Sequence, residues 1–414
     1  MITASILTIG DELLIGQVID TNSAFIAENL NLQGVSVKRI LSVSDSIEEI
    51  ISGLNICSDS QIIISTGGLG PTRDDITKDA MCKYFNTKLV RNNEVLKNIE
   101  NLLNNRGIQN LNENNRKQSD VPESATVLEN NNGTAPGLLF EKNDSVFVFL
   151  PGVPNEMKAL VTKKVIPIIN VKFRNQAVVH RTIHTFGSFE AILAETLDDW
   201  VTNLPENIKP AFLPSAGLIR IRLTGIGSDK AELEHLIDVE VEKLFDIIPD
   251  IIFSTKGENL EEVVGKLLLE KKLTLATAES CTGGSIASII TSIPGSSSYY
   301  KGSIVAYSND VKTNLLKVNS NDIENHGAVS EIVVKQMAEN VKTLLNTDYG
   351  VASSGIAGPD GGTANKPVGT IWIAVAGPKQ TVCKQYSFGK QREFNIRRSV
   401  LTALNLLREM LVNN

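Results

Sequence analysis

Three stretches in the last third of this chain place reactive side chains where a strand meets a helix. The first is Ala278-Glu279-Ser280-Cys281-Thr282-Gly283-Gly284, between the apolar run LTLAT and the helix-like SIASIITSI. A strand–turn–helix junction aims unpaired backbone N–H groups and the positive end of a helix at one point. Its two glycines let a ligand come close to the backbone. A hydroxyl or thiol in such a turn can act as a nucleophile, with nearby amides as an oxyanion hole. The plainer alternative is a polar helix cap. If the turn is catalytic, its geometry assigns the oxyanion to the amides around Gly283 and Gly284, with Thr282 beside them.

A serine hydroxyl needs a base to take its proton. The four histidines (His180, His184, His235 and His326) form no Ser-His-Asp pattern. In VAYSNDVK, however, Tyr307 and Lys312 are available, and a lysine whose pKa is lowered by burial can serve as the base. The third stretch, SSGIAGPDGG, follows the strand-like YGVAS and offers Gly355, Ile356 and Gly358 for backbone contact to a phosphate or ribose. Arg392 and Arg397 supply fork-shaped donors for a phosphate. The chain has no GxxxxGK[ST], which rejects a P-loop nucleotidase.

Near the other end, GDELL and DTN follow the first strand-like run, and TGGLGPTRDD follows another. Gly67, Gly68, Gly70 and Thr72 can cradle phosphate, and the carboxylates Asp11, Asp20, Asp74 and Asp75 can hold a hard divalent cation such as Mg²⁺, Mn²⁺ or Co²⁺. A cation bridging a pyrophosphate, with a carboxylate positioning water, suffices for hydrolysis. Caps and turns are the alternative use of the same residues.

These loops need a scaffold, and the chain provides alternating strands and helices. Ile2–Ile9, Val35–Val43, Gln61–Ser65 and Val146–Leu150 are strand-like; Asn22–Leu32, Ile47–Cys57 and a segment from Asn155 are helical. The Asn-rich segment over 101–133 reads as solvated loop and short helix. The pattern predicts an α/β fold: two α/β domains with mostly parallel sheets flanked by helices, joined by a small α+β module. In such sheets ligands bind beyond the carboxyl ends of the strands. Boundaries fall at 1–170, 171–255 and 256–414. The middle part reads as VVHRTIHTF (strand), Ser188–Trp200 (helix), LIRIRLTGIG (strand) and Lys230–Ile247 (helix).

With 414 residues the chain exceeds one ordinary core. Its 42% hydrophobic and 21% charged residues are those of a globular protein. A net charge of −7 and a pI near 5.4 argue against a nucleic-acid partner. No apolar run reaches the roughly 18 residues of a membrane span. The four scattered cysteines and the strand-like start, without a signal peptide, place the protein in a reducing cytoplasm.

Taken in order, AESCTGG, PGSSSYYKGSIVAYSNDVK, HGAVSE, SGIAGPDGG and KPVGTIWIA resemble the CinA C-terminal domain, the nicotinamide-nucleotide amidase domain. GDELLIG, DTN, TGGLGPTRDD, NNGTAPG and LPGVPNEM resemble the molybdopterin-binding domain of MoaB- and MogA-type proteins and of the CinA N-terminus. The resemblance implies that Ser280 is the nucleophile, that Lys312 and Tyr307 handle its proton, and that nicotinamide mononucleotide is deamidated. Cys281 is the rival nucleophile, being intrinsically more reactive. Neighbouring side chains at a strand end point apart, so only one addresses the pocket, and Ser280 is favoured. For the N-terminal domain the resemblance implies metal-dependent hydrolysis of ADP-ribose to AMP and ribose 5-phosphate, with Glu156 joining the metal set. It also implies a homodimer and a KH-type middle module. That module lacks a convincing GXXG clamp, so the KH likeness is architectural. Two other readings stay open: an N-terminal domain that only binds a molybdopterin-like ligand, and a competence-linked scaffold.

Overall fold

Branched apolar runs such as Ile62-Ile63-Ile64 form strands because stiff side chains pack well on a pleated surface, and these are fully buried. The computed structural model describes residues 2–72, 75–105, 107, 113–173, 177–215 and 217–413. They separate into two units, Met1–His180 with Gly225–His235, and Arg181–Thr224 with Leu236–Asn414.

The first unit contains β1 (Thr3–Ile9), β2 (Ser36–Val43), β3 (Ile62–Thr66), β4 (Leu89–Arg91), β5 (Asp120–Pro122), β6 (Thr126–Leu128), β7 (Gly137–Lys142) and β8 (Ser145–Leu150). Its main sheet runs β2-β1-β3-β8-β7-β6, while β4 and β5 pair separately. The pairs among β2, β1, β3 and β8 are parallel; β7 and β6 add antiparallel neighbours. Alternate residues feed two cores. Ile62 and Ile64 meet Ile26, Leu30 and Met157 on one face. Ile63 meets Ile50, Leu54 and Phe147 on the other.

Register decides where the loops go. Thr8 lies opposite Thr66, and Thr66 opposite Leu150. The carboxyl ends of β1, β3 and β8 are therefore level, and the loops beginning at Gly10, Gly67 and Pro151 emerge side by side. Of the Asn-rich segment 101–133, the described residues include the end of the helix Asn93–Asn105, whose Val95, Ile99 and Leu103 form a buried stripe, and the short helix Glu113–Lys117. Residues 106 and 108–112 lie outside the described residues.

The middle segment forms β9 (Ala177–Phe186), β10 (Ile208–Ser215), β11 (Leu218–Gly227) and β12 (Ile252–Ser254), ordered β10-β11-β9-β12. The sequence reading missed β10 because Pro210 and Pro214 break its strand pattern. The strand tolerates them at the sheet edge, where some N–H groups have no neighbour to bond. The helix expected over Ser188–Trp200 is two helices, Glu190–Thr196 and Asp198–Thr202, interrupted at Leu197.

The C-terminal sheet contains β13 (Leu275–Glu279), β14 (Tyr300–Val305), β15 (Tyr349–Gly355), β16 (Thr370–Ala376) and β17 (Thr381–Ser387), ordered β14-β13-β15-β16-β17. β14, β13 and β15 are parallel; β16 and β17 are antiparallel additions. The helices Leu260–Lys271 and Arg392–Val412 cover one face, where Leu268, Leu404 and Leu407 meet Ile371 and Ile373. The helix Glu331–Leu344 covers the other, where Met337 and Val341 meet a floor of Ala276, Ala278, Ala352 and Ala374. Small floor residues let this helix come very close. No helix among the described residues is long and apolar enough to cross a membrane.

That approach can be tested at Gly350, where an added Cβ would stand 2.1 Å from the Ala338 carbonyl oxygen. Backbone cannot yield as a side chain can, so Gly350→Ala should destabilise this unit by about 3 kcal/mol. Urea denaturation followed by near-UV circular dichroism measures the loss; an unchanged midpoint would contradict the packing.

Candidate functional site

The C-terminal site starts from the register of β13. Glu279 lies opposite Ser353 on one side and Val305 on the other. Ser280, the next residue, leaves the sheet at its carboxyl edge with its N–H held by the Ser353 carbonyl at 3.0 Å. Lys312 comes from the short helix Asn309–Asn314, whose start is capped by the Ser308 hydroxyl. Its side chain is 1% exposed. The amine lies 3.1 Å from Ser280 Oγ, 2.7 Å from the Ala306 carbonyl and 3.5 Å from the Tyr307 carbonyl. No carboxylate among the described residues pairs with it. Burial without a counter-ion favours the neutral amine, and the Lys312 pKa lies below the ordinary 10.5.

Cys281 points away, as neighbouring residues at a strand end must. Its thiol is 6% exposed within the apolar core, and burial pushes its pKa up to about 12. A thiol that stays protonated is no nucleophile.

Glu279 is fully buried and went unremarked in the sequence. Its Oε2 accepts the Thr282 hydroxyl at 2.7 Å and the Gly284 and Ile286 amides at 3.0 Å. Its Oε1 accepts the Ala287 amide at 2.8 Å. This corrects the expected oxyanion hole. The Gly284 N–H is occupied by Glu279, and the Gly283 N–H closes a turn onto the Ser280 carbonyl at 3.1 Å. Thr282, expected near substrate, is 1% exposed and also bonds the Ser353 hydroxyl. Among the described residues, the Cys281 and Thr282 N–H groups donate to no oxygen.

Tyr307 departs from its expected part in proton handling. It is 64% exposed, and its phenol accepts from the Arg392 guanidinium at 3.2 Å. Only its carbonyl touches Lys312. Arg392 also donates to the Gly358 carbonyl at 2.8 Å, so it bridges the tyrosine to the third loop. That loop is braced: the Ile356 N–H donates to Thr370 and its carbonyl accepts from Gly369, while Asn395 donates to Ala357 and Gly389. Gly355 packs against Ile371 and the Thr370 carbonyl. Arg397 does not join Arg392; it lies five residues further along the same helix, and its charge acts on Glu261.

At the other end, the level strand ends border a cavity of about 480 Å³ lined by Glu12, Asp20, Asp45, Asp75 and Glu156 among others, with no lysine or arginine among the described residues. The expected phosphate cradle is largely occupied by the protein itself. The Gly67 N–H donates to Leu150 at 3.1 Å. The Gly70 and Thr72 N–H groups both donate to the Asp75 carboxylate at 2.7 Å. Of the four, only the Gly68 N–H has no acceptor among the described residues. The turn needs glycine: Gly67 has φ +115°, and a Cβ there would meet the Ile9 carbonyl at 2.1 Å.

The expected metal ligands are also dispersed. Asp75 is turned onto its own loop, Asp20 caps the helix Thr21–Leu32 through the Ser23 amide, and Glu156 accepts from Asn130 at 2.8 Å. Asp74 lies outside the described residues. Asp11 sits beside Asp45, to which its amide donates at 3.1 Å. Asp45, which the sequence reading missed, has its pKa raised, first by burial and then by the charges of Asp11, Glu12 and Asp75. Its signal was present: SVSDS follows a strand just as GDELL does. Among the described residues, no three His, Cys, Asp or Glu converge as a metal cage. The crowded acids do fit a cation shared with a phosphate ligand, because Mg²⁺ is commonly held by one or two carboxylates plus substrate oxygens.

A protein of Flavobacterium psychrophilum described as CinA-like is 44% identical over 99% of both chains. The chain belongs to the CinA family. A CinA-like protein of Cytophaga hutchinsonii is 45% identical over 99% of this chain and 98% of its own. Residues 257–411 match the family model for the CinA C-terminal domain, 5–171 that described as "Probable molybdopterin binding domain", and 180–254 the Damage-inducible protein CinA KH domain. Among solved structures, a Competence-Damaged Protein (CinA) superfamily protein from Klebsiella pneumoniae is 32% identical, covering 38% of this chain and all of its own at a TM-score of 0.37. Within this CinA fold, the level strand ends account for both clusters.

Glu279→Gln tests the buried anchor. One acceptor oxygen becomes an N–H₂ facing one or two of the backbone amides, leaving buried donors unpaired at about 1–3 kcal/mol each. The C-terminal unit should melt several degrees lower with Ser280 and Lys312 unchanged; an unaltered melting temperature would remove Glu279 from this role.

Proposed function

We propose that the C-terminal unit is a serine amidase acting on the carboxamide of a pyridine nucleotide, converting nicotinamide mononucleotide to nicotinate mononucleotide and ammonia. The observation that carries this reading is the buried, unpaired Lys312 amine 3.1 Å from Ser280 Oγ. Neutral Lys312 takes the Ser280 proton as Oγ attacks the carboxamide carbon. The resulting oxyanion is held by the free amides of Cys281 and Thr282 instead of those of Gly283 and Gly284. Breaking the C–N bond returns the proton from Lys312 to the leaving nitrogen, so ammonia departs and an acyl-serine remains. Water, deprotonated by the same amine, then hydrolyses the ester and restores Ser280. Arg392, fixed between Gly358 and Tyr307, presents its remaining N–H donors to the nucleotide phosphate.

For the N-terminal cavity we propose hydrolysis of ADP-ribose to AMP and ribose 5-phosphate. A pyrophosphate entering a cavity lined by five carboxylates is repelled by them, and a divalent cation beside it offsets that repulsion. Such a cation, when bound, neutralises phosphate charge and lowers the pKa of water. Asp45 and Glu12, which line the cavity, are the carboxylates that would hold it, with Asp11 beside Asp45, and the Gly68 amide would meet the phosphate. The competing reading, a domain that only binds a molybdopterin-like ligand, predicts no AMP release with Mg²⁺, Mn²⁺ or Co²⁺.

Ser280→Ala should lower ammonia release from nicotinamide mononucleotide at least about 10³-fold, while Cys281→Ala keeps most of it. Full activity in the serine variant would end this mechanism. The pH profile follows from the direction of the lysine shift. The deprotonated amine is the active form, so kcat/KM rises with pH through the Lys312 pKa, and its midpoint falls below 10.5. Lys312→Arg, which stays charged, should be inactive across that range. A rate independent of pH between 6 and 10, an interval chosen as roughly that over which a buried lysine titrates, would exclude Lys312 as the base.

A further inference from the structure

The N-terminal cavity contains a polar side chain that the fold does not use. Gln118 is 2% exposed and lines the cavity, yet its Oε1 has no hydrogen-bond partner. No partner takes its side-chain N–H₂ among the described residues either. A buried carboxamide left unpaired is costly to the folded state. It persists because its loop is held on both sides. Lys78 donates to the Gln118 and Asp120 carbonyls at 2.9 Å. The Ser119 hydroxyl closes back onto Arg116, and the Ser119 carbonyl accepts the Asn92 amide at 2.9 Å.

A second unused acceptor shares the cavity. The Asn22 Nδ2 donates to the Gly152 carbonyl at 2.8 Å, which fixes the amide orientation and leaves Oδ1 unpartnered. Ile9, Leu13, Val18, Ile19 and Val153 supply apolar surface in the same lining. Apolar walls with one fixed carboxamide form a slot for a flat heterocycle. A carboxamide presents an acceptor beside a donor, the complement of an exocyclic amine next to an unprotonated ring nitrogen. Adenine carries that edge, and so does a pterin.

Building on the ADP-ribose reading above, we infer that Gln118 recognises the amino-azine edge of the bound base, and that this base is adenine. Gln118 is then a specificity residue: it selects the ligand by its ring, while the acidic loops and their cation handle the phosphates.

The test uses the full-length chain with Mg²⁺ in titration calorimetry, comparing wild type with Gln118→Leu, a change of similar volume. ADP-ribose, inorganic pyrophosphate and a pterin phosphate are the ligands. ADP-ribose affinity should fall about tenfold or more in the variant while pyrophosphate affinity stays the same. The ligand-free variant should melt at the same temperature or higher, since an unsatisfied buried amide has been removed; a structural role would lower it. Equal loss for ADP-ribose and pyrophosphate, no loss at all, or a lower melting temperature overturns the inference. If wild type binds pyrophosphate but not ADP-ribose or the pterin, base recognition fails. If it binds the pterin in preference and through Gln118, the ADP-ribose reading fails while the edge recognition stands. Binding of none of the three overturns both.

Discussion

Lys312 is buried among carbonyl oxygens and one hydroxyl, with no carboxylate in reach, and the C-terminal site depends on that company. Opposite charges at close range would stabilise its ammonium form and raise its pKa. The fully buried acid that precedes Ser280 in the chain, Glu279, makes no bond to Lys312 among the described residues. Glu279 is instead satisfied by three backbone amides and a threonine hydroxyl. The carboxylate takes up the positive end of the helix Ser285–Thr291, and the amine keeps its lone pair for the serine.

The same arrangement leaves the turn few free amides for an anion. A Gly-rich strand–helix junction is a ready anion site when its amides are free, but here the protein's own carboxylate fills it. The N-terminal unit repeats the device, with Asp75 satisfying the amides of Gly70 and Thr72. In both units the glycines shape a turn around an internal acid, and the ligand is left to other groups. On the proposed reading these are Arg392 and two free amides in the C-terminal site, and the Gly68 amide with a cation shared with carboxylates in the N-terminal cavity.

Much of this was legible in the sequence. Alternating apolar runs gave the order of strands and helices, because two buried faces require near-continuous branched residues. The strand ends marked the candidate loops, and the resemblance to the CinA C-terminal domain implied the pairing of Ser280 with Lys312. What a sequence cannot display is which amide is already occupied. Glu279 reads as one more acidic residue until the turn folds over it. Asp45 enters the acidic cluster only because β2 ends level with β1. Tyr307 carries the right chemistry, yet its phenol follows the Arg392 guanidinium, a partner 85 residues away. β10 was hidden because Pro210 and Pro214 argue against a strand everywhere except at a sheet edge.

Positions where local rules fail separate structure from function. An unpaired amine at Lys312 and an unpaired carboxamide at Gln118 both weaken the fold that contains them. Each is held in place by an otherwise well-bonded neighbourhood: capped helix and paired strands around Lys312, Lys78 and Ser119 around Gln118. Glu279 is equally buried but fully bonded, which marks it as part of the scaffold. The distinction rests on pairing and not on burial, since all three side chains are at most 2% exposed. Lys312 has hydrogen-bond partners but no counter-ion among the described residues, and the Gln118 oxygen has no partner at all. A buried group left without its charge partner or its hydrogen bond, on a fixed backbone, is the one free to meet a ligand.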